Sequence, residues 1–537
     1  KELTDSLKTS KVTEVDFSSC GIGPVALGHL SEWVREATAA VARLSLRGNM
    51  ITGSLCDEST DYEWEYDKDL SGLVSLCDAL LALKNPIDLD LSECGLSVNG
   101  VNPVAKAISA GAAVARLRVS GNKITGTKYE HGWKYDLDLS GLVSLCDALL
   151  TLKNPIELDL SDCGLSVKGV NPIAKAISAG AAVARLSLRD NMITGSDPAW
   201  KSFGKFDKDL SGIIALCDAL LTLKNPIELD LSNCGLSVNG VNPVAKAISA
   251  GAALTSMNCL NNPLGEGVHT IIKVFEETPR LRTLCGLEEG VQQIDWSKSG
   301  KGPADVALLA AELKAGRAAA AVNSVTVDGN PIGCPSSATL KPGAVTGIEV
   351  KKGVFAAVDG RFGEVDRDVP GDKEIKLTWL DNDEKSGWIK VDKLTSVVAS
   401  RTDLIEDYSH IRSLGEALSG SKVQTYGFAN CKFNPVSLAT FVESVRWADA
   451  VVTSINCLAN KFGEEDLATL LTAIEGTSVR SLCGLTEGQT VADFSGQNLG
   501  PIDMKIIAAE YGFQGFIAAL KEVNVAFNQI GAEGGIA

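Results

Sequence analysis

The 537-residue sequence predicts an α/β solenoid with a small all-β module set into it. Three observations lead there. Cys94, Cys163 and Cys234 mark one place in three copies of a single paragraph, 69 and 71 residues apart. Each copy carries two short segments in which leucines alternate with polar residues, and a helical pattern follows each segment. Between residues 338 and 398 that pattern stops, and short strand-like runs divided by turn residues replace it.

The first segment of a copy reads Leu89-Asp-Leu-Ser-Glu-Cys94, Leu158-Asp-Leu-Ser-Asp-Cys163 or Leu229-Asp-Leu-Ser-Asn-Cys234. The second reads Arg116-Leu-Arg-Val-Ser-Gly-Asn122 or Arg185-Leu-Ser-Leu-Arg-Asp-Asn191. Alternation with period two, as over Ile156 to Leu160, predicts strands. Helices are predicted over Asn102 to Ala110, where Pro103 sits early enough for its missing N–H to cost little, and over Leu139 to Lys153, capped by Ser140. Asn154-Pro155 then stops the helix, because the residue before proline is held out of the α region. Cys94 to Asn122 spans 28 residues and Asn122 to Cys163 spans 41, so short and long coils alternate. Stacked, such coils put a parallel sheet on the concave side and helices on the convex side.

The Leu-x-Leu-x-x-Asn/Cys segment followed by a helix resembles the leucine-rich repeats of ribonuclease inhibitor and the NOD-like receptors, over roughly 11–335 and 420–535. The resemblance implies a protein that works by binding. The nucleotide-binding module of the NOD-like receptors is absent from these residues, which removes the basis for a signalling role of that type.

Downstream lies a second duplication. Leu254 to Gly333 matches Val452 to Gly531 at a constant offset of 198, with Arg282-Thr-Leu-Cys-Gly-Leu paired to Arg480-Ser-Leu-Cys-Gly-Leu. Between the copies, runs at 353–358, 362–365, 374–380 and 386–390 are separated by Asp359-Gly360, Pro370-Gly371 and Asp381-Asn382. They resemble a small SH3-like barrel. The expected organisation is therefore solenoid over 1–337, SH3-like barrel over 338–399 and solenoid over 400–537, the barrel either interrupting one solenoid or linking two.

A net charge of −17 argues against a nucleic-acid partner and against docking by charge on an anionic membrane, since both rest on clustered Lys and Arg. No apolar run approaches the length of a membrane span. Cys20, Cys94, Cys163, Cys234 and Cys431 occupy the Asn/Cys slot of the repeat, and Cys77, Cys146 and Cys217 recur inside an apolar helix pattern. Such cysteines are expected to be reduced structural thiols. With no Asn-x-Ser/Thr site, the expected address is intracellular, cytoplasmic or organellar, in a reducing compartment. The chain starts at Lys1, consistent with removal of a targeting segment or with numbering from inside a longer protein.

Chemistry-bearing constellations are poor. His29, His131, His269 and His410 stand at unrelated repeat positions, and no zinc, Walker or nucleophile-elbow motif is present. Ser297-Lys-Ser-Gly-Lys-Gly302 reads as a turn before a helix starting near Pro303. The acids of Asp136-Leu-Asp-Leu-Ser140 and Asp207-Lys-Asp-Leu-Ser211 read as helix caps rather than calcium ligands. No catalytic residue, metal or cofactor is expected.

The extra residues of the long coils, Ile51 to Asp69, Ile124 to Asp138 and Ile193 to Asp209, keep their frame but vary their aromatics. The first holds Tyr62, Trp64 and Tyr66; the second Tyr129, His131, Trp133 and Tyr135; the third Trp200, Phe203 and Phe206. These rings cover the edge of the next coil, contact a partner, or do both. Trp379 and Trp388 are a candidate SH3-type groove, although the strand position of Trp379 favours a core role for that ring. The expected function is a non-enzymatic protein-binding scaffold or accessory subunit of a multi-subunit assembly. A ligand sensor, or a hydrolase with carboxylates on the concave face, is the alternative.

Overall fold

The computed structural model describes residues 2–37, 41–57, 63–129, 133–196, 206–369, 373–510 and 516–531. It divides into two compact units, Lys1–Arg282 and Thr283–Ala537. This is a different boundary from the 337/338 and 399/400 divisions the sequence pattern gives.

Unit 1 is built on eight parallel strands that neighbour one another in chain order: Glu14–Asp16, Arg43–Ser45, Ile87–Asp90, Val114–Arg118, Ile156–Asp159, Val183–Ser187, Ile227–Asp230 and Leu254–Asn258. The helices Ser71–Leu80, Val101–Ser109, Ser140–Leu149, Val167–Ser178, Ser211–Leu220 and Val238–Ser249 alternate with strands along the chain. The repeat leucines, such as Leu89, Leu117, Leu158 and Leu186, are buried between the two layers. The helix expected over Leu139 to Lys153 is shorter, Ser140–Leu149. Ser140 is its first residue and not its cap: the Ser140 N–H donates to Asp138 Oδ1 at 2.9 Å. The apolar spacing of Leu150 and Leu152 continues past the real helix end, which is why periodicity overran it.

A buried asparagine joins each pair of coils. Asn122 Oδ1 accepts the N–H groups of Cys94 (3.0 Å) and Leu96 (2.9 Å), while Nδ2 donates to the carbonyls of Leu91 and Val119, both at 2.8 Å. Asn49, Asn262 and Asn460 make the same four bonds in their own coils. In the alternate slot the Cys94, Cys163, Cys234 and Cys431 thiols each donate to a carbonyl of an earlier coil at 3.1–3.3 Å. Backbone groups that turn away from the strand thus find partners inside the core, where an unmade bond costs about 1–3 kcal/mol.

Unit 2 holds a four-stranded parallel sheet in the order Gln293–Asp295, Ser324–Thr326, Thr425–Gly427, Ser454–Asn456, and a separate parallel pair, Val491–Asp493 with Glu522–Asn524. Ser324–Thr326 pairs directly with Thr425–Gly427, so the all-β module interrupts one sheet rather than linking two. Its stalk is the antiparallel pair Ser337–Leu340 and Leu404–Asp407. Beyond the stalk, five antiparallel strands run in the order Ile389–Lys390, Glu374–Trp379, Arg361–Val369, Phe355–Val358, Ser396–Val398. Among the described residues no ladder joins the two edge strands, so this is an open sheet and not the closed barrel that was expected. Both faces of Phe355–Val358 are buried: Ala356 packs with Val365, Leu377 and Trp379, and Phe355 and Ala357 with Phe362, Ala338 and Leu404.

Candidate functional site

The long coils of unit 1 carry the most developed surface features. In the first, Leu55–Asp57 pairs antiparallel with Glu63–Glu65; in the second, Lys128–Tyr129 pairs with Trp133–Lys134. Trp64 and Trp133, one paragraph apart in sequence, are each 47% exposed. Trp64 stacks on Tyr66 with ring centroids 6.0 Å apart, and Trp133 on Tyr135 at 6.3 Å. Lys123 Nζ lies 5.6 Å from the Trp133 ring centroid. Phe206 is half-buried. Tyr62, His131, Trp200 and Phe203 lie outside the described residues, and of Tyr129 only the backbone is described.

Each loop returns to the solenoid through an aspartate that binds the next coil. The Asp67 carboxylate accepts Ser97 Oγ–H at 2.5 Å and the Gly100 N–H at 2.7 Å. Asp136 does the same with Ser166 and Gly169, and Asp207 with Ser237 and Gly240. All three aspartates sit in the left-handed region, at φ 55, 52 and 51°. The glycines are required: a Cβ on Gly100, Gly169 or Gly240 would stand 2.4–2.5 Å from the carboxylate oxygen. Asp136 and Asp207 were expected to act as helix caps. That role falls to the second acid of each pair: the N–H and hydroxyl of Ser140 lower the Asp138 carboxyl pKa, and the hydroxyl and N–H of Ser211 lower that of Asp209. The first acid instead fixes the hairpin to its neighbour, so the aromatic pairs are held at a stable base.

The open face of the sheet carries a row of alternating charge. Glu14, Arg43, Asp88, Arg116, Glu157, Arg185 and Glu228 stand beside one another in strand register. Arg116 bridges Asp88 at 3.2 Å and Glu157 at 2.5 Å, and Arg185 pairs with Glu228 at 2.5 Å. Hydrogen bonding from Arg116 holds the Glu157 carboxyl below its ordinary value. Half-exposed pairs of this kind add little stability; they fix side-chain positions on the face. The adjacent row, with Asp16, Asp90, Arg118, Asp159 and Asp230, leaves an excess of carboxylates.

In the inserted sheet Trp379 is 6% exposed, with the Arg361 guanidinium 4.3 Å from its ring centroid. It is a core residue, so an open groove shared by Trp379 and Trp388 does not form. Strand alternation explains this: Ile375, Leu377 and Trp379 all face the same buried side. Trp388 is 43% exposed with Lys376 Nζ at 4.9 Å.

Sequence reasoning missed a pair of buried acids in unit 2. Glu312 Oε1 accepts Thr283 Oγ–H at 2.7 Å and the N–H groups of Leu284 and Cys285; Glu510 Oε1 accepts from Ser481, Leu482 and Cys483. Burial raises both carboxyl pKa values. The two glutamates are 198 apart, and Ala-Ala-Glu at 310–312 and 508–510 was the available signal. His410 is buried, its Nε2 2.9 Å from the Ile332 carbonyl, while His269 lies exposed beside Glu266. Among the described residues no group of three or more His, Cys, Asp or Glu is placed to hold a metal, and no helix is long and apolar enough to cross a membrane.

A leucine-rich repeat family model matches residues 519–537. Mouse (Mus musculus) ribonuclease inhibitor is 21% identical over 279 residues, covering 49% of this chain and 55% of its own length. The chain thus spans about half the length of the curated relative it matches. A solved TLR13–ssRNA13 complex aligns over 97% of this chain and 55% of the other with 10% identity and a TM-score of 0.30. The parallel sheet, the alternating helices and the Asn/Cys slots agree with the leucine-rich repeat match at 519–537 and with the likeness to ribonuclease inhibitor, and together they support a leucine-rich repeat fold. Proteins of this class typically bind other proteins.

Proposed function

We propose that this protein is a non-enzymatic protein-binding scaffold or accessory subunit of a larger assembly, engaging its partner through the open sheet face and the aromatic hairpins of unit 1. One observation carries the reading: an exposed Trp stacked on a half-buried Tyr recurs one paragraph apart, each time on a hairpin anchored by an aspartate to the next coil. Rigid aromatic side chains bury large area at low ordering cost, the property that marks binding hot spots. The inserted five-stranded antiparallel sheet has an accessory role in this reading. A reducing compartment suits the buried slot cysteines Cys94, Cys163, Cys234 and Cys431, whose thiols act as hydrogen-bond donors and whose pKa burial raises, to about 12 at Cys94.

The test is hydrogen exchange on the assembly purified from its source, compared with the isolated chain. Protection is expected at Lys128–Lys134 and along the strands from Val114 to Ser187. Protection confined to unit 2 would overturn the assignment.

A further inference from the structure

The two described hairpins differ in one respect that bears on the partner's chemistry. In the second, the chain supplies its own cation: Lys123, next to the ladder residue Asn122, places Nζ 5.6 Å from the Trp133 ring. The equivalent position in the first hairpin, next to Asn49, is Met50, which is 38% exposed. Trp64 keeps the same place relative to its anchoring aspartate and the same 47% exposure, without that lysine.

Local charge differs in the matching sense. Residues 51–69 contain seven carboxylates to one lysine, residues 124–138 three to two, and residues 193–209 three to three. The single lysine of the first loop, Lys68, is paired with Glu65 at 2.6 Å. An aromatic face in an acidic surrounding attracts a cation through the ring quadrupole and the field of the carboxylates together.

We propose that the first hairpin binds a basic segment of a protein partner, an Arg or Lys side chain lying on the exposed face of Trp64 where Lys123 lies on Trp133. The inference rests on the reading of unit 1 as a protein-binding surface and names the chemistry of what it binds.

The probe is a fluorescein-labelled peptide of five Arg-Ser repeats, titrated with the full chain and read by anisotropy. Trp64→Ala and Met50→Lys are each expected to weaken binding about fivefold or more, and Trp64→Phe to recover part of the loss. Val25→Lys, which adds the same charge at a residue 76% exposed on another coil, is the control and is expected to bind as wild type does. Each variant's unfolding midpoint verifies folding. Equal affinity of wild type, Met50→Lys and Trp64→Ala overturns the inference, as does a loss in Val25→Lys as large as in Met50→Lys, which would mean adhesion by net charge alone. Either result, with the sheet face still protected in the native assembly, removes the basic-segment assignment and leaves the binding role standing.

Discussion

Asp136 accepts the backbone N–H of Gly169 at 2.7 Å, across 33 residues of sequence and from one coil to the next. Asp67 with Gly100 and Asp207 with Gly240 repeat the contact at the same separation. A surface hairpin and the solenoid's stacking are thereby coupled, since the group that ends the loop also satisfies donors at the start of the next helix.

Asp136→Ala removes the acceptor for Ser166 Oγ–H, Ser166 N–H and Gly169 N–H. The expected loss is about 2 kcal/mol, measured by urea unfolding, with faster hydrogen exchange over residues 125–138. Stability and exchange equal to wild type would show that the contact anchors nothing.

The asparagine ladder should be less tolerant. Asn122→Leu leaves the N–H groups of Cys94 and Leu96 and the carbonyls of Leu91 and Val119 without their partner. A loss of about 3–5 kcal/mol is expected, larger than that of Asp136→Ala in the same denaturation experiment.

Asp328 gives a pH signature. Burial pushes its carboxyl up to about 6, with the Ala429 N–H and Asn456 only partly offsetting this. A folded-state pKa above the unfolded value means that the stabilising contribution is complete below about 4 and lost as pH rises through about 6. Asp328→Asn is therefore expected to melt higher than wild type at pH 8 and to converge with it near pH 4. His410 titrates in the opposite sense: burial lowers it to about 4, so its contribution is present above about 6.5 and lost as pH falls through about 4. An advantage of Asp328→Asn that is constant across pH would contradict the assignment.

Glu312 offers a paired comparison. Glu312→Gln keeps a carbonyl oxygen for Thr283, Leu284 and Cys285 and removes a buried acid, so stability at pH 8 is expected to be equal to wild type or higher. Glu312→Ala strands the same donors and should cost about 3 kcal/mol. Thermal midpoints of the two variants, and of the same pair at Glu510, check this.

The alternation of Leu89, Leu91, Leu158 and Leu160 made the strands legible, because a two-residue period admits one buried face. The Asn/Cys slots were legible as positions, but their four-bond geometry was not, since it involves backbone groups of two coils. The anchoring role of Asp67, Asp136 and Asp207 was hidden for a similar reason: it depends on a left-handed backbone and on a glycine 33 residues away. Its place on a strand already favoured core for Trp379, and the register of Glu374–Trp379 puts it there, while Trp388 stays exposed. The break at Arg282 was invisible as a boundary because the repeat text runs through it.

The central claim is that the exposed rings of unit 1 serve binding. The most direct measurement is the affinity of the purified partner, recovered from the source assembly, for wild type and for the Trp64→Ala/Trp133→Ala double variant, taken alongside their melting temperatures. A fall in affinity of about tenfold or more at an unchanged melting temperature is the predicted result. Unchanged affinity with a lowered melting temperature would assign the rings to packing and contradict the account.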